Sequence, residues 1–233
     1  MKQHIDTIPL WDAYKAGGEC PLCALYEKTE LDYVDNFMGA SVMEPDTRVE
    51  VNEKGYCTRH FGMMFANGNR LGLALMTDTY MRETIGKIKK AQSSKPKGGL
   101  FKKADPDADA IKPLTGTCIL CDRLNATMDR YVYTLLYMYR HESEFKKAFD
   151  ESKGVCLKHY AELRAAAPKH LSGKDLDSFL SSLDRIETEN LERIEKELEW
   201  FTLKFDYRNK DKPWGNSQDA VERAINKLRG KCV

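Results

Sequence analysis

Cys20 and Cys23 stand two residues apart in GECPLCALYEK, with Pro21 just after the first of them. Two thiols at that spacing on the first turn of a helix have two uses. They can cycle between dithiol and disulfide, or they can supply half of a four-ligand metal site. Further along, GYCTRHF places Cys57 three residues before His60. Both motifs then recur. CILC holds Cys118 and Cys121, and GVCLKHY holds Cys156 and His159. Cys118 follows Cys20 by 98 residues, and Cys156 follows Cys57 by 99. Six of the seven cysteines and two of the five histidines fall into this one pattern, which reads as an internal duplication.

Three thiolates and an imidazole complete a tetrahedron around zinc. Taken in chain order, Cys20, Cys23, Cys57 and His60 form a first set, and Cys118, Cys121, Cys156 and His159 a second. An alternating, cross-braced pairing would have to reach over the 57 residues between His60 and Cys118, which include a linker, so pairing within each half is expected. The expected cofactor is zinc, two per chain and structural, because a catalytic zinc keeps one position open and each half offers four ligands. An iron–sulfur cluster uses the same residue types, and thiols without metal are the remaining reading. A thioredoxin-like motif needs a βαβ setting. A haem attachment needs His directly after the second Cys, where Ala24 and Asp122 stand. His141-Glu142 lacks the second His of a zinc-protease helix, since Phe145 occupies its place. No phosphate loop or nucleophile elbow is present, so no catalytic residue is assigned.

Ligands of this kind need rigid elements to hold them. Pro21 suits the first turn of a helix running to about Met38, with a counterpart from about Ile119 to Arg140. Short helical stretches near 45–53 and 142–152 follow, closed by Gly55 and Gly154. Each C-x2-H motif then opens a helix, ending near Ala66 at Asn67-Gly68-Asn69 and near Ala167 at Pro168. A longer helix completes each half, over 70–91 and 173–205, the second with Ser172 and Asp175 at capping-box spacing. No stretch alternates as a strand does. The fold class is therefore all-α, a duplicated helical unit forming one bundle-like body. The expected organisation is a first metal-stapled repeat over 1–91, a Lys/Gly/Pro-rich linker over 92–113, a second repeat over 114–205, and a loop, short helix and tail over 206–233.

The chain has 233 residues, enough for one large domain or two small ones, and 42% apolar with 31% charged residues is ordinary for a globular protein. A net charge of +1 argues for no acidic or basic partner. MKQHIDTIPL lacks the apolar core of a signal peptide, and the most apolar run, Tyr131 to Tyr139, is far below the roughly 18–20 residues a membrane span needs. A cytoplasmic location with reduced thiols is expected, with no membrane partner.

Other features have bland readings. Lys87, Lys89, Lys90, Lys95, Lys97, Lys102 and Lys103 lie in an acid-free window, which suggests nucleic-acid contact but reads first as a solvated linker. Leu176, Leu180, Leu183, Ile186, Leu191, Ile194, Leu198, Phe201 and Phe205 form a near-heptad stripe on a helix of about 45 Å, a spine for both halves or, second, a homodimer seam through 176–205. Asp129, Tyr133, Tyr137 and His141 share a helix face, read as half-buried rather than as a pocket wall. The glycines of GNRLGLALM suit close helix packing. Trp214 is expected to anchor the tail, and His4, His170 and Cys232 are incidental.

The combination of CPLC, GYCTRH, GNRLGLALM, CILC, KGVCLKH, KFDYR and PWGNS resembles an uncharacterised bacterial family of unknown function, over nearly the whole chain. Such proteins often carry the label of ABC-transporter substrate-binding protein, but this start shows no export signal or lipid-anchoring cysteine, and an all-α chain has no α/β lobes. The resemblance implies the eight Cys and His residues as ligands and no activity. The expected function is a zinc-binding, non-enzymatic binding or scaffold protein, its protein or small-molecule ligand seated in a groove between the halves. A thiolate-based redox or metal-sensing protein is the alternative, and nucleic-acid binding through 87–103 the lesser one.

Overall fold

The computed structural model describes residues 5–93 and 111–232. Among these there are eleven α-helices, two 3-10 turns and no strand, as the all-α reading expects. The helices are α1 (Thr7–Lys15), α2 (Pro21–Met38), α3 (Pro45–Lys54), α4 (Thr58–Asn67), α5 (Arg70–Ser93), α6 (Pro113–Gly116), α7 (Ile119–His141), α8 (Ser143–Asp150), α9 (Leu157–His170), α10 (Gly173–Leu203) and α11 (Ala220–Arg229). The 3-10 turns are Ala40–Met43 and Tyr207–Asn209.

The first cysteine of each motif begins a helix. Cys57 and Cys156 are the N-cap residues of α4 and α9, with extended backbones. The Cys20 and Cys118 carbonyls accept the first-turn N–H groups of Ala24 and Asp122 at 3.3 and 3.1 Å. Each pair therefore occupies one helical turn, which the three-residue step requires. At α2 the Cys23 N–H also points at the Cys20 sulfur, 3.4 Å away, so the thiol serves as the cap.

The chain divides into two compact units, and they are not the two repeats. A split unit combines Met1–Glu27 with Thr127–Val233, and a continuous unit spans Lys28–Ala126.

In the continuous unit, α3 packs on α5, and α4 packs on α5. Val34, Phe37, Met38, Val51, Tyr56, Met64 and Met76 form its core with Ile119 and Leu120. Tyr56 sits edge-on between Phe37 and Phe61, and its hydroxyl reaches the Met76 sulfur at 3.3 Å. Close packing at GNRLGLALM is real at one glycine. A Cβ on Gly72 would stand 2.5 Å from the Asn69 amide, which itself caps α5 by accepting the Gly72 N–H at 2.9 Å.

In the split unit, α10 packs on α8, α9 and α11. Its buried residues are Phe179, Leu183, Ile186, Glu187 and Ile194, so Leu183, Ile186 and Ile194 of the expected stripe are buried, joined by Phe179 and Glu187. Phe179 meets Tyr139 and Phe149 at 5.0 and 5.4 Å, while Leu191 and Leu198 of the stripe are only half-buried and Phe205 is exposed. Three local expectations also differ. Helix α1 arises where no helix was expected, with Pro9 tolerated in its first turn. Helix α9 runs through Pro168 for two further residues, because a proline in the last turn forfeits only one backbone bond. Ser172 is the N-cap of α10, but its side chain makes no capping hydrogen bond.

After α10 the chain wraps around Lys204. The ammonium donates to the carbonyls of Asn209, Lys210 and Lys212 at 2.8, 2.9 and 2.5 Å and lies 5.2 Å from the Trp214 ring centre. Trp214 packs on Phe201, so it does anchor this segment. Lys204→Met strands three carbonyls, and charge-assisted bonds are worth about 1.5–3 kcal/mol each before compensation by water. The expected result is a red-shifted tryptophan fluorescence and fast amide exchange across 205–214, with α10 intact by NMR.

Candidate metal centres

The eight residues singled out by spacing form two groups that could hold a metal ion. In each, the four ligand atoms lie within 4.8 Å of one another. The grouping is not the expected one. Cys20 and Cys23 join Cys156 and His159 at the N-termini of α2 and α9, inside the split unit. Cys57 and His60 join Cys118 and Cys121 at the N-termini of α4 and α7, inside the continuous unit. Pairing within each half is therefore corrected to a nested arrangement, first motif with fourth and second with third. The reason lies in the backbone. The Ile119 N–H donates to the Gly55 carbonyl at 3.1 Å, which sets the start of α7 beside the start of α4.

Both histidines present Nδ1 to the sulfurs. In the split-unit centre, His159 Nδ1 lies 3.3, 3.5 and 3.2 Å from the sulfurs of Cys20, Cys23 and Cys156, with Cys23 and Cys156 3.6 Å apart. In the continuous-unit centre, His60 Nδ1 lies 3.3, 3.3 and 3.4 Å from Cys57, Cys118 and Cys121, with Cys57 and Cys121 3.8 Å apart. A tetrahedron with ordinary zinc–sulfur and zinc–nitrogen bonds has edges of about 3.8 Å between sulfurs and about 3.5 Å between sulfur and nitrogen. The donor set and its spacing fit a single tetrahedral ion. All six cysteines are free thiols, and none is placed as a disulfide.

Burial and crowding drive the proton affinities of these groups apart. Burial, then the neighbouring thiols, push Cys20 far up, while hydrogen bonds from Cys20 and Cys23 pull Cys156 far down. His159 is buried, which opposes its charge, yet the Cys156 and Cys23 sulfurs raise it to about 9. Burial and the adjacent Cys118 and Cys57 raise Cys121 to about 12. Three thiols packed on one imidazole cannot all lose their protons together unless a cation takes the protons' place.

The outer surroundings differ, and the sequence pattern did not find them. His60 Nε2 faces Glu30 Oε1 at 3.2 Å, with both side chains 2% exposed. Arg59 clamps the same carboxylate through Nε and Nη2 at 2.7 and 2.5 Å. Burial works against Glu30, but the Arg59 guanidinium outweighs it and holds the carboxyl below its usual value. Behind His159 the carboxylate is Glu162, more distant at 3.8 Å and half exposed. Instead, a buried pair, Glu187 with Lys227, backs the loop carrying Cys156. Arg59 follows the Thr58 of a C-x2-H motif and could have been noticed. Lys227 reads from sequence as an ordinary basic residue ending a helix.

Other residues named from the sequence fall as follows. Tyr133 and Tyr137 are half exposed, their rings against His170 and His141 at 5.1 and 4.5 Å. Cys232 is exposed. Lys87 donates to the Asn52 carbonyl at 2.9 Å. Lys95, Lys97, Lys102, Lys103 and His4 lie outside the described residues. Among the described residues, no helix is long and apolar enough to cross a membrane.

An all-helical chain with two Cys3His groups is the class that fold and site define. Residues 1–233 match a family of unknown function, DUF6062, and the chain belongs to it. It is also similar to an uncharacterized 23.9 kDa protein in the xynA 3' region of Caldicellulosiruptor sp. (strain Rt8B.4), 23% identical over 199 residues, covering 82% of this chain and 84% of the relative. No solved structure matches it.

Proposed function

We propose that each Cys3His group holds one zinc ion, and that the two ions fasten a helical scaffold that binds a protein or small ligand without doing chemistry itself. The observation that supports this best is the set of sulfur–nitrogen edges of 3.2–3.5 Å in both groups. A multi-iron cluster distributes its protein ligands over separate irons, which spreads them wider than one ion does. All four positions belong to the protein, so no substrate site remains on the metal. Six thiols kept free for a metal suit a reducing, cytoplasmic compartment.

The test is elemental analysis of protein purified without chelator or added metal. Two tightly held zincs per chain are expected. No metal, or iron in its place, sinks the zinc reading. One easily lost zinc with a fast-reacting thiol favours the thiolate alternative.

Glu30→Gln checks the surroundings of His60. Removing the carboxylate behind a ligating histidine costs 10–100-fold in metal affinity. Competition with a graded chelator should show that loss at one zinc, with the other unchanged.

A further inference from the structure

We propose that α11 is a latch on the Cys20–Cys23–Cys156–His159 centre, with Lys227 as the positioning residue that ties its two ligand-bearing loops together. The latch deepens the zinc reading and rests on it for the ion.

Lys227 has a side chain 0% exposed, an environment a lysine occupies only when paired. Its ammonium donates to the Lys153 carbonyl at 2.7 Å, lies 3.5 Å from the Glu19 carbonyl, and stands 3.4 Å from Glu187 Oε2. Glu19 directly precedes Cys20, and Lys153 lies three residues before Cys156. One cation thus grips the chain just before each ligand pair. Glu187 grips the second loop again, accepting the Val155 N–H at 3.2 Å. Gly154 makes room for this, since a Cβ there would stand 2.8 Å from Glu187 Oε2 and 3.3 Å from the ammonium.

The end of α11 covers the metal ligands directly. At Gly230 a Cβ would lie 3.8 Å from the sulfurs of both Cys23 and Cys156, so the backbone leaving α11 passes close to two of the four ligand atoms. The helix is held at both ends. Lys231 pairs with Glu27 at 2.5 Å, and Arg223 pairs with Glu19 and with Glu197. Three thiolates around a divalent ion leave one net negative charge, and a buried ammonium close by offsets it where water does not reach.

Thiolate metal centres lose their ion when a chelator, an oxidant or an alkylating agent reaches a sulfur. Here the end of α11 stands beside the Cys23 and Cys156 sulfurs, and its undocking opens the way to them. Metal release and thiol modification at this centre are therefore set by opening of the C-terminal helix, and whatever binds α11 controls them.

The experiment treats the full-length protein as purified with N-ethylmaleimide and measures modification of each cysteine by peptide mass spectrometry, while a colorimetric chelator reports zinc release. Exposed Cys232 should react first and calibrate the reagent. Cys23 and Cys156 should react at the rate at which α11 amides exchange. Lys227→Met should speed modification and zinc release at this centre at least tenfold, leaving Cys57, Cys118 and Cys121 as they were. In case that variant does not fold, Lys231→Glu loosens the latch from outside. It should raise the same rates up to about fivefold, the range of one surface ion pair, and adding Glu27→Lys should restore them. Unchanged rates in the variants, or equal changes at both centres, overturn the latch. A metal-free protein whose Cys23 and Cys156 stay shielded until α11 opens would end the zinc reading and keep the latch.

Discussion

Cys20→Ser should cost the protein one metal ion of two, and the thiols it uncovers should be Cys23 and Cys156, not Cys57. The expectation follows from the nested grouping, in which the fourth motif completes the first. Had each half closed its own site, the same variant would free Cys57 and leave Cys156 protected. The energetic effect is large. A structural zinc in a small domain contributes on the order of 10 kcal/mol, against a total stability of about 5–15 kcal/mol. The split unit should therefore lose cooperative unfolding, while the continuous unit keeps its ion and its protected amides. Native mass spectrometry counts the ions, and alkylation mapping identifies the released thiols. Cys57→Ser is the reciprocal test and should uncover Cys118 and Cys121. Modification of Cys57 in the Cys20→Ser protein would refute the pairing described.

The same comparison shows what a sequence can and cannot carry. Two residues separated by three positions meet on one helical turn whatever surrounds them, so the four Cys/Cys and Cys/His pairs were legible from spacing alone. Which pair meets which is settled by tertiary packing, such as the Ile119-to-Gly55 backbone bond, and duplication misleads there because it suggests self-contained halves. Helices with strong punctuation, Pro21–Met38 above all, were legible with their approximate bounds. Helix α1 was not, because Thr7-Ile8-Pro9 looks like a breaker until its first-turn position is known. Glu187 and Lys227 were invisible for a different reason. Charged residues on amphipathic helices are read as solvated, and only the crossing of α10 with α11 encloses these two.

Gly55→Ala should be the most damaging single change outside the ligands. Gly55 ends α3 with φ 63° and ψ −158°, a region essentially reserved for glycine. A Cβ there would also overlap the Tyr80 ring. The backbone strain costs about 1–3 kcal/mol, and forced repacking about 1–3 kcal/mol more. Because the Gly55 carbonyl also receives the Ile119 N–H, the shift reaches Cys57 and Cys118 together. A fall in Tm of roughly 5–20 °C is expected at 2–4 °C per kcal/mol, with zinc lost first from the Cys57–His60–Cys118–Cys121 centre. Gly62→Ala is the matched control on α4, where an added Cβ meets nothing within 4 Å. An alanine in that helix should be neutral or gain about 0.5–1 kcal/mol. Equal effects from the two substitutions would remove the geometric argument for Gly55.

Nesting also gives the ribosome a schedule. Cys57 and Cys121 are 64 residues apart and Cys23 and Cys156 are 133 apart. The longer loop costs only about 0.6 kcal/mol more to close, so equilibrium hardly separates the two events. Time does. The chain emerges N-terminus first at about 5–20 residues per second. Cys20 and Cys23 must therefore wait on the order of ten seconds for Cys156 and His159, and meanwhile Cys57, His60, Cys118 and Cys121 can assemble. The first thiols made are the last to be matched, and during that wait they are open to oxidation or to capture by the wrong partners. If the two groups are filled as proposed, protein made with zinc supplied during synthesis should carry more metal than protein given zinc afterwards, which elemental analysis of the two preparations would show.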